Sequence, residues 1–322
     1  MIVDRRTALT GTAAMLTNLA LAGATSEPSD ASIVAARHGL VFRWLNNAGF
    51  EIVLPSGAHL FVDPWLDSAA FNPLRVASLN RADYILLSHI HGDHAQDVGA
   101  IQKRFPNVRI FVGQLSAEPL VRSQNLETSK IYKVSDRQSF DFGEVRIEAF
   151  AGRHTESNRG NYMKWEENGE MSSASWGTLD LYQYLITLPT GLKFMVWAGT
   201  PSIDNSYALS GLRPDVAAVH ISPKQDFALL GEILRNMGPK VVVPHHYDIW
   251  PQILKTRPDE IGQFPQEIQP ISPDNVIEKM MPYVERRLHE SEMSASFFIP
   301  RNHIWYRYTR RSRLPVQISE TF

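Results

Sequence analysis

The chain has 322 residues, 43% hydrophobic and 20% charged, which excludes a disordered polymer and leaves ample length for a buried core without cross-links. Lys plus Arg number 32 and Asp plus Glu 34, a net charge of −2 that argues against a dedicated nucleic-acid binder. The absence of cysteine excludes a disulfide framework, a Cys nucleophile, a thiolate zinc site and an iron–sulfur cluster, and leaves 11 histidines to be explained.

The chain opens with Asp4-Arg5-Arg6-Thr7-Ala8-Leu9-Thr10. A weakly apolar, Ala-rich run follows and ends in Ala22-Gly23-Ala24, the small-x-small pattern of a signal-peptidase site. Residues 1–30 resemble a twin-arginine export signal plus spacer, which implies a periplasmic protein. Asp4 stands where Ser or Thr is usual, and Ala8 where Phe is usual. The plainer alternative is a short amphipathic helix. The run is too short and too polar to span a membrane, and no later stretch is apolar for long enough. Residues 31–322 read as a single domain.

Short apolar runs at 40–45 and 50–54 flank Asn46-Asn47-Ala48-Gly49, and a turn at Pro55-Ser56-Gly57 leads to a strand at 59–62. Residues 84–87 predict a buried strand, 95–104 a helix, and 108–112 and 145–150 further strands. Strands are also expected at 179–188, 192–198, 216–221, 241–243, 295–299 and 304–308, with helices at 225–236 and 275–288. Residues 154–177 read as one long irregular region, and such loops are usually functional. Paired strands followed by alternating strands and helices predict an α/β fold of two packed sheets covered by helices.

Ser88-His89-Ile90-His91-Gly92-Asp93-His94 follows directly on the buried strand. Imidazole and carboxylate together suit zinc and other borderline divalent metals. In an extended turn His89 and His91 point the same way, and Gly92 lets the backbone fold so that Asp93 and His94 face a second position. That pattern offers two neighbouring metal clusters.

This HxHxDH signature resembles the metallo-β-lactamase superfamily, whose fold is a four-layer αββα sandwich. Trp44-Leu45-Asn46-Asn47-Ala48-Gly49-Phe50-Glu51-Ile52 and Phe61-Val62-Asp63-Pro64-Trp65-Leu66 resemble the opening of its ascorbate-6-phosphate lactonase-like and N-acyl phosphatidylethanolamine phospholipase D-like groups. Gly152-Arg153-His154-Thr155 and Pro244-His245-His246-Tyr247 match the contexts of two further family ligands. The resemblance implies that His89, His91 and His154 hold one metal, and Asp93, His94 and His246 another. One motif departs. The family's bridging Asp sits in Gly-Asp-Thr, whereas this chain has Gly199-Thr200-Pro201. Asp204 is the expected replacement; the alternatives are a weak second ion or a single ion.

His245 is expected behind the ligands, and Asp63 is expected to orient a ligand imidazole. His220 ends a predicted strand near the site face and is the best remaining candidate for a substrate role. His38, His59, His289 and His303 are expected to be structural or surface residues. Trp65, Phe71, Tyr162, Met163, Trp165 and Trp176 are either ordinary loop packing or an apolar substrate wall. The Arg-rich residues 307–313 read as a solvated face.

The expected function is metal-dependent hydrolysis of a lactone or carboxylic ester by a metal-bound hydroxide, with Asp93 orienting the nucleophile and passing a proton to the leaving group. One or two zinc ions are expected, with manganese or iron as alternatives. His91 argues against di-iron redox chemistry, because related flavodiiron proteins carry Glu there. A phosphodiesterase acting on a small or lipid-like substrate is the second reading, and a degenerate metal-binding protein the third. No nucleic-acid partner is expected, and a homo-oligomer is left open.

Overall fold

The computed structural model describes residues 35–69, 71–154 and 173–319. Residues 1–30, read as an export signal and spacer, and Tyr162, Met163 and Trp165 lie outside these residues. In chain order the strands are β1 (Leu40–Asn46), β2 (Gly49–Val53), β3 (His59–Val62), β4 (Tyr84–Leu86), β5 (Arg109–Gly113), β6 (Ile131–Val134), β7 (Ser139–Asp141) and β8 (Arg146–Ala151). They continue as β9 (Tyr182–Thr187), β10 (Lys193–Trp197), β11 (Val216–His220), β12 (Val241–His245), β13 (Ser296–Phe297), β14 (Trp305–Tyr308) and β15 (Val316–Gln317). One sheet has the order β15-β14-β1-β2-β3-β4-β5-β6 and the other β13-β12-β11-β10-β9-β8-β7. Pairing is parallel from β3 to β6 and from β10 to β13. These two mixed sheets flanked by helices are the α/β sandwich expected from the sequence.

Strand alternation decides which side chains meet. Leu60, Val62, Leu86 and Phe111 face the second sheet and share a buried cluster with Ile147, Tyr184, Phe194 and Trp197. Phe42 and Phe50 close on Phe194 with ring centroids 5.2 and 5.7 Å apart. Each such side chain contributes about 1.5–3 kcal/mol on burial. The alternate residues Phe61, Ile85, Ile110 and Val112 pack outward against Val98, Ile101, Ala117 and Leu120.

The helix expected at 95–104 is two helices, α1 (Gly92–Ala95) and α2 (Val98–Arg104). Between them, Asp97 accepts hydrogen bonds from Leu66 N at 2.7 Å and Ser68 Oγ at 2.7 Å, which ties this break to the loop after β3. The helix α3 (Ala117–Gln124) and the strands β6 and β7 were not expected. Within the region read as irregular, the last residues form α4 (Ser173–Leu179). The helices α5 (Ile203–Leu209), α6 (Phe227–Met237), α7 (Trp250–Thr256) and α8 (Val276–Glu290) complete the set used below. Apolar residues of α6 and α8, including Leu230, Leu234, Met280 and Val284, extend the main core.

Candidate metal centre

The carboxyl ends of β3, β4, β8, β10, β11 and β12 meet at one edge of the sandwich, the place where open α/β sheets bind ligands. Tyr184 Oη donates to Leu87 O at 2.8 Å, and Tyr182 N to Ser88 O at 2.8 Å, so β9 is stitched to the segment leaving β4. From that stitched segment His89 and His91 emerge. His91 stays extended (φ −63°, ψ 154°), and α1 then starts at Gly92 and carries Asp93 and His94 round to a second position.

Two groups of donor atoms result, each with its members within 4.8 Å of one another: His89, His91 and His154, and Asp93, His94 and His246. In the first, His89 Nε2 lies 3.1 Å from His91 Nδ1. In the second, Asp93 Oδ2 lies 3.5 Å from His94 Nε2 and 3.4 Å from His246 Nε2. Five imidazoles and one carboxylate suit zinc-type divalent ions by donor chemistry. The structure brings all six residues to one cleft, of about 290 Å³.

Asp63 is fully buried and serves both groups. Its carboxylate accepts hydrogen bonds from Ser88 N at 2.7 Å, Ser88 Oγ at 2.5 Å and His94 Nδ1 at 2.9 Å. Because Ser88 spends its proton on Asp63, its oxygen is free to accept from His89 Nδ1 at 3.0 Å. Both rings are thereby fixed with the proton on Nδ1 and the lone pair on Nε2, the tautomer a metal requires. One carboxylate orients a ligand in each group. Asp63→Asn is therefore expected to weaken metal binding at both positions by about 10–100-fold. A chelator-competition titration checks this, and unaltered affinities would remove Asp63 from the orienting role.

Charge states follow from the surroundings. Burial, with His94 and His91 nearby, holds His89 well below the ordinary imidazole value, so it is a neutral donor. Burial pushes His94 down, but Asp93 and Asp63 prevail and hold it above 6.5. Burial pushes Asp93 up, but His94 and His246 prevail and hold its carboxyl well below the usual range.

Neither Asp204 nor His220 falls within either of these groups of mutually close donors. Thr200 N donates to Arg153 O at 2.8 Å, which pins its backbone to the segment leading to His154. Asp204 is exposed in the first turn of α5. The expectation that Asp204 swings into the bridging position is therefore corrected. Ser202 caps the helix by accepting from Asn205 N, and the helical turn carries Asp204 outward.

His220 lines the cleft, its ring centroid 4.5 Å from that of His246. Burial, with His246 and His245 nearby, holds it well below 6.5 and neutral. His245 sits behind, fully buried, with Nε2 donating to Trp197 O at 2.9 Å. Trp65 and Phe71 pack edge to face beside Ile249 and Ile253 in a separate depression, and Trp176 packs on the outer core. His59 is structural: it bonds Glu51 at 2.6 Å.

Residues 59–247 match the Beta-lactamase superfamily domain, more than half of the chain. The chain belongs to the beta-lactamase superfamily. A UPF0173 metal-dependent hydrolase of Cupriavidus metallidurans is 27% identical over 230 residues, 67% of this chain and 76% of its own length. One of Geobacillus thermodenitrificans is 27% identical over 241 residues, 70% of this chain and 91% of its own. Igni18, a metallo hydrolase from the archaeon Ignicoccus hospitalis, superposes with a TM-score of 0.55 at 15% identity, covering 84% of this chain and 99% of that one, which shows a shared fold.

Two residues of this superfamily member have positioning roles that no motif assigned. Asn47, at φ 45°, donates its amide to Asp93 Oδ2 at 3.0 Å and to Asp93 O at 3.1 Å. Its carbonyl accepts from His246 N at 2.8 Å. Asp248 holds Asn47 in turn, accepting from its backbone N at 3.0 Å. The available signal was the Asn-Asn-Ala-Gly turn, since Asn tolerates the left-handed conformation such a turn needs.

Proposed function

We propose that this metal-dependent hydrolase of the beta-lactamase superfamily acts on a lactone or another carboxylic ester. The observation that carries hydrolysis is the pair of donor groups sharing one cleft, with the ionised Asp93 carboxylate facing it. A zinc-type ion, when bound, supplies a water acidic enough to deprotonate near neutral pH and a Lewis acid for the scissile carbonyl. The chain's own residues do the rest. Asn47 fixes Asp93, whose ionised carboxylate would orient the attacking water, take up its proton and return that proton to the departing alkoxide. Leu181 and Trp250 give the cleft an apolar side for the acyl portion.

A phosphodiester is the second reading. Lys224 and Arg257 also line the cleft, and cationic walls suit an anionic substrate. A panel of lactones, aryl esters and bis-aryl phosphodiesters separates the two. Turnover of lactones or aryl esters that chelation abolishes and zinc restores is the expected result. Faster metal-dependent turnover of diesters would favour the second reading, and no metal-dependent turnover of any member would overturn both. The proposal includes export through residues 1–30, so protein recovered from a periplasmic fraction is expected to begin after Ala24.

A further inference from the structure

We infer that His220 is a metal ligand, supplying a nitrogen donor at the place left by the missing bridging carboxylate. This rests on the metal-binding reading above. At the position where Gly-Asp-Thr is usual, the backbone has no freedom to bring another side chain inward. Gly199 has φ +82°, and a Cβ there would lie 2.2 Å from Arg153 O. Thr200 is bonded to the same carbonyl, and Asp204 is exposed on α5.

His220 enters from the neighbouring strand β11 instead. The residue is 8% exposed, and its Nδ1 lies 3.0 Å from Gly199 O. Gln225 Nε2 also lies 3.1 Å from Nδ1, but its two amide protons go to carbonyls, and a carbonyl only accepts, so Nδ1 carries the proton and Nε2 keeps its lone pair. The Gln225 amide braces this arrangement by donating to Gly199 O at 3.2 Å and to His220 O at 2.9 Å. Nε2 has no hydrogen-bond partner among the described residues. The ring meets His246 nearly at right angles (76°), beside the second donor group and in the same cleft as the first. A ring nitrogen fixed by a backbone carbonyl on one side and left open on the other is how ligating histidines are held.

The test uses the chelator-stripped full chain. Zinc is titrated against a chromophoric chelator, and cobalt(II) is added in parallel because its visible absorption reports ligand number. The wild type is expected to take two ions. His220→Ala is expected to bind one of them at least about 10-fold more weakly, the least that losing even an orienting neighbour costs, and to alter the cobalt spectrum. Asp204→Ala is expected to change neither. Wild-type affinities and spectrum in a folded His220→Ala protein overturn the assignment, as does uptake of only one ion by the wild type. If the wild type takes no ion, the metal-binding reading fails with it. If two ions bind regardless of His220, that reading stands and only the ligand assignment falls. Should the alanine variant not fold, His220→Leu, closer in volume and without a donor atom, is measured with the same expectations.

Discussion

Asp93→Asn is expected to lower kcat/KM on the best ester substrate by about 10²–10⁴-fold, the range that positioned acid–base groups contribute. The carboxylate retains 29% of its side-chain surface on the cleft side. It is held ionised by His94 and His246, and its orientation is set by Asn47. An amide keeps the shape but cannot take up and return a proton. Because Asp93 also belongs to the second donor group, kinetics should be run with metal saturating and metal content measured alongside. A loss under tenfold with both ions in place would take Asp93 out of proton transfer.

Glu51→Leu is expected to destabilise the fold by about 3 kcal/mol, as breaking a buried ion pair does. Glu51 lies on β2, where Arg43 Nε donates to it at 2.7 Å and His59 Nδ1 approaches at 2.6 Å. Removing the carboxylate strands Arg43, whose side chain is only 15% exposed. The value is placed at the low end of the range because Arg43 keeps that contact with water. The effect depends on pH in a definite direction. Burial pushes Glu51 up, but Arg43 and His59 prevail and hold it below its ordinary 4.5. Its contribution is therefore complete above about pH 4.5 and is lost as pH falls through the lower folded value. Urea unfolding of the metal-free proteins should show the gap between wild type and Glu51→Leu narrowing below that pH. A gap that stays constant on acidification would contradict the pairing.

The parts of the site that were legible in the sequence are those where chemistry and local conformation coincide. His89, His91, Asp93 and His94 follow a four-residue apolar run, so one strand end accounts for their placement. Asp204 was misjudged because a missing carboxylate invites the nearest one in sequence. Ser202 and Asn205 already spelled a helix start, and a helix start dictates where its first turn points. The strands β6 and β7 were missed for a different reason. They sit at sheet edges and are mostly half-exposed or exposed, so they lack the apolar run that marks an interior strand. The roles of Asn47 and Asp248 were illegible because they exist only across separations of 46 and 201 residues.

The seat of α4 has a consequence of its own. Gly177 lies so close to His91 that a Cβ there would fall 2.7 Å from the ring carbon Cδ2, and Thr178 Oγ1 is 3.2 Å from His91 Nε2. The helix that ends the long segment between His154 and β9 thus rests on a histidine of the first donor group. Whatever holds that ring in place also steadies the helix. Thermodynamic reciprocity then requires that anything steadying the helix tighten the hold on the ring by the same free energy. Anything that grips α4 and an ion gripped by His91 are, on this geometry, mutual effectors.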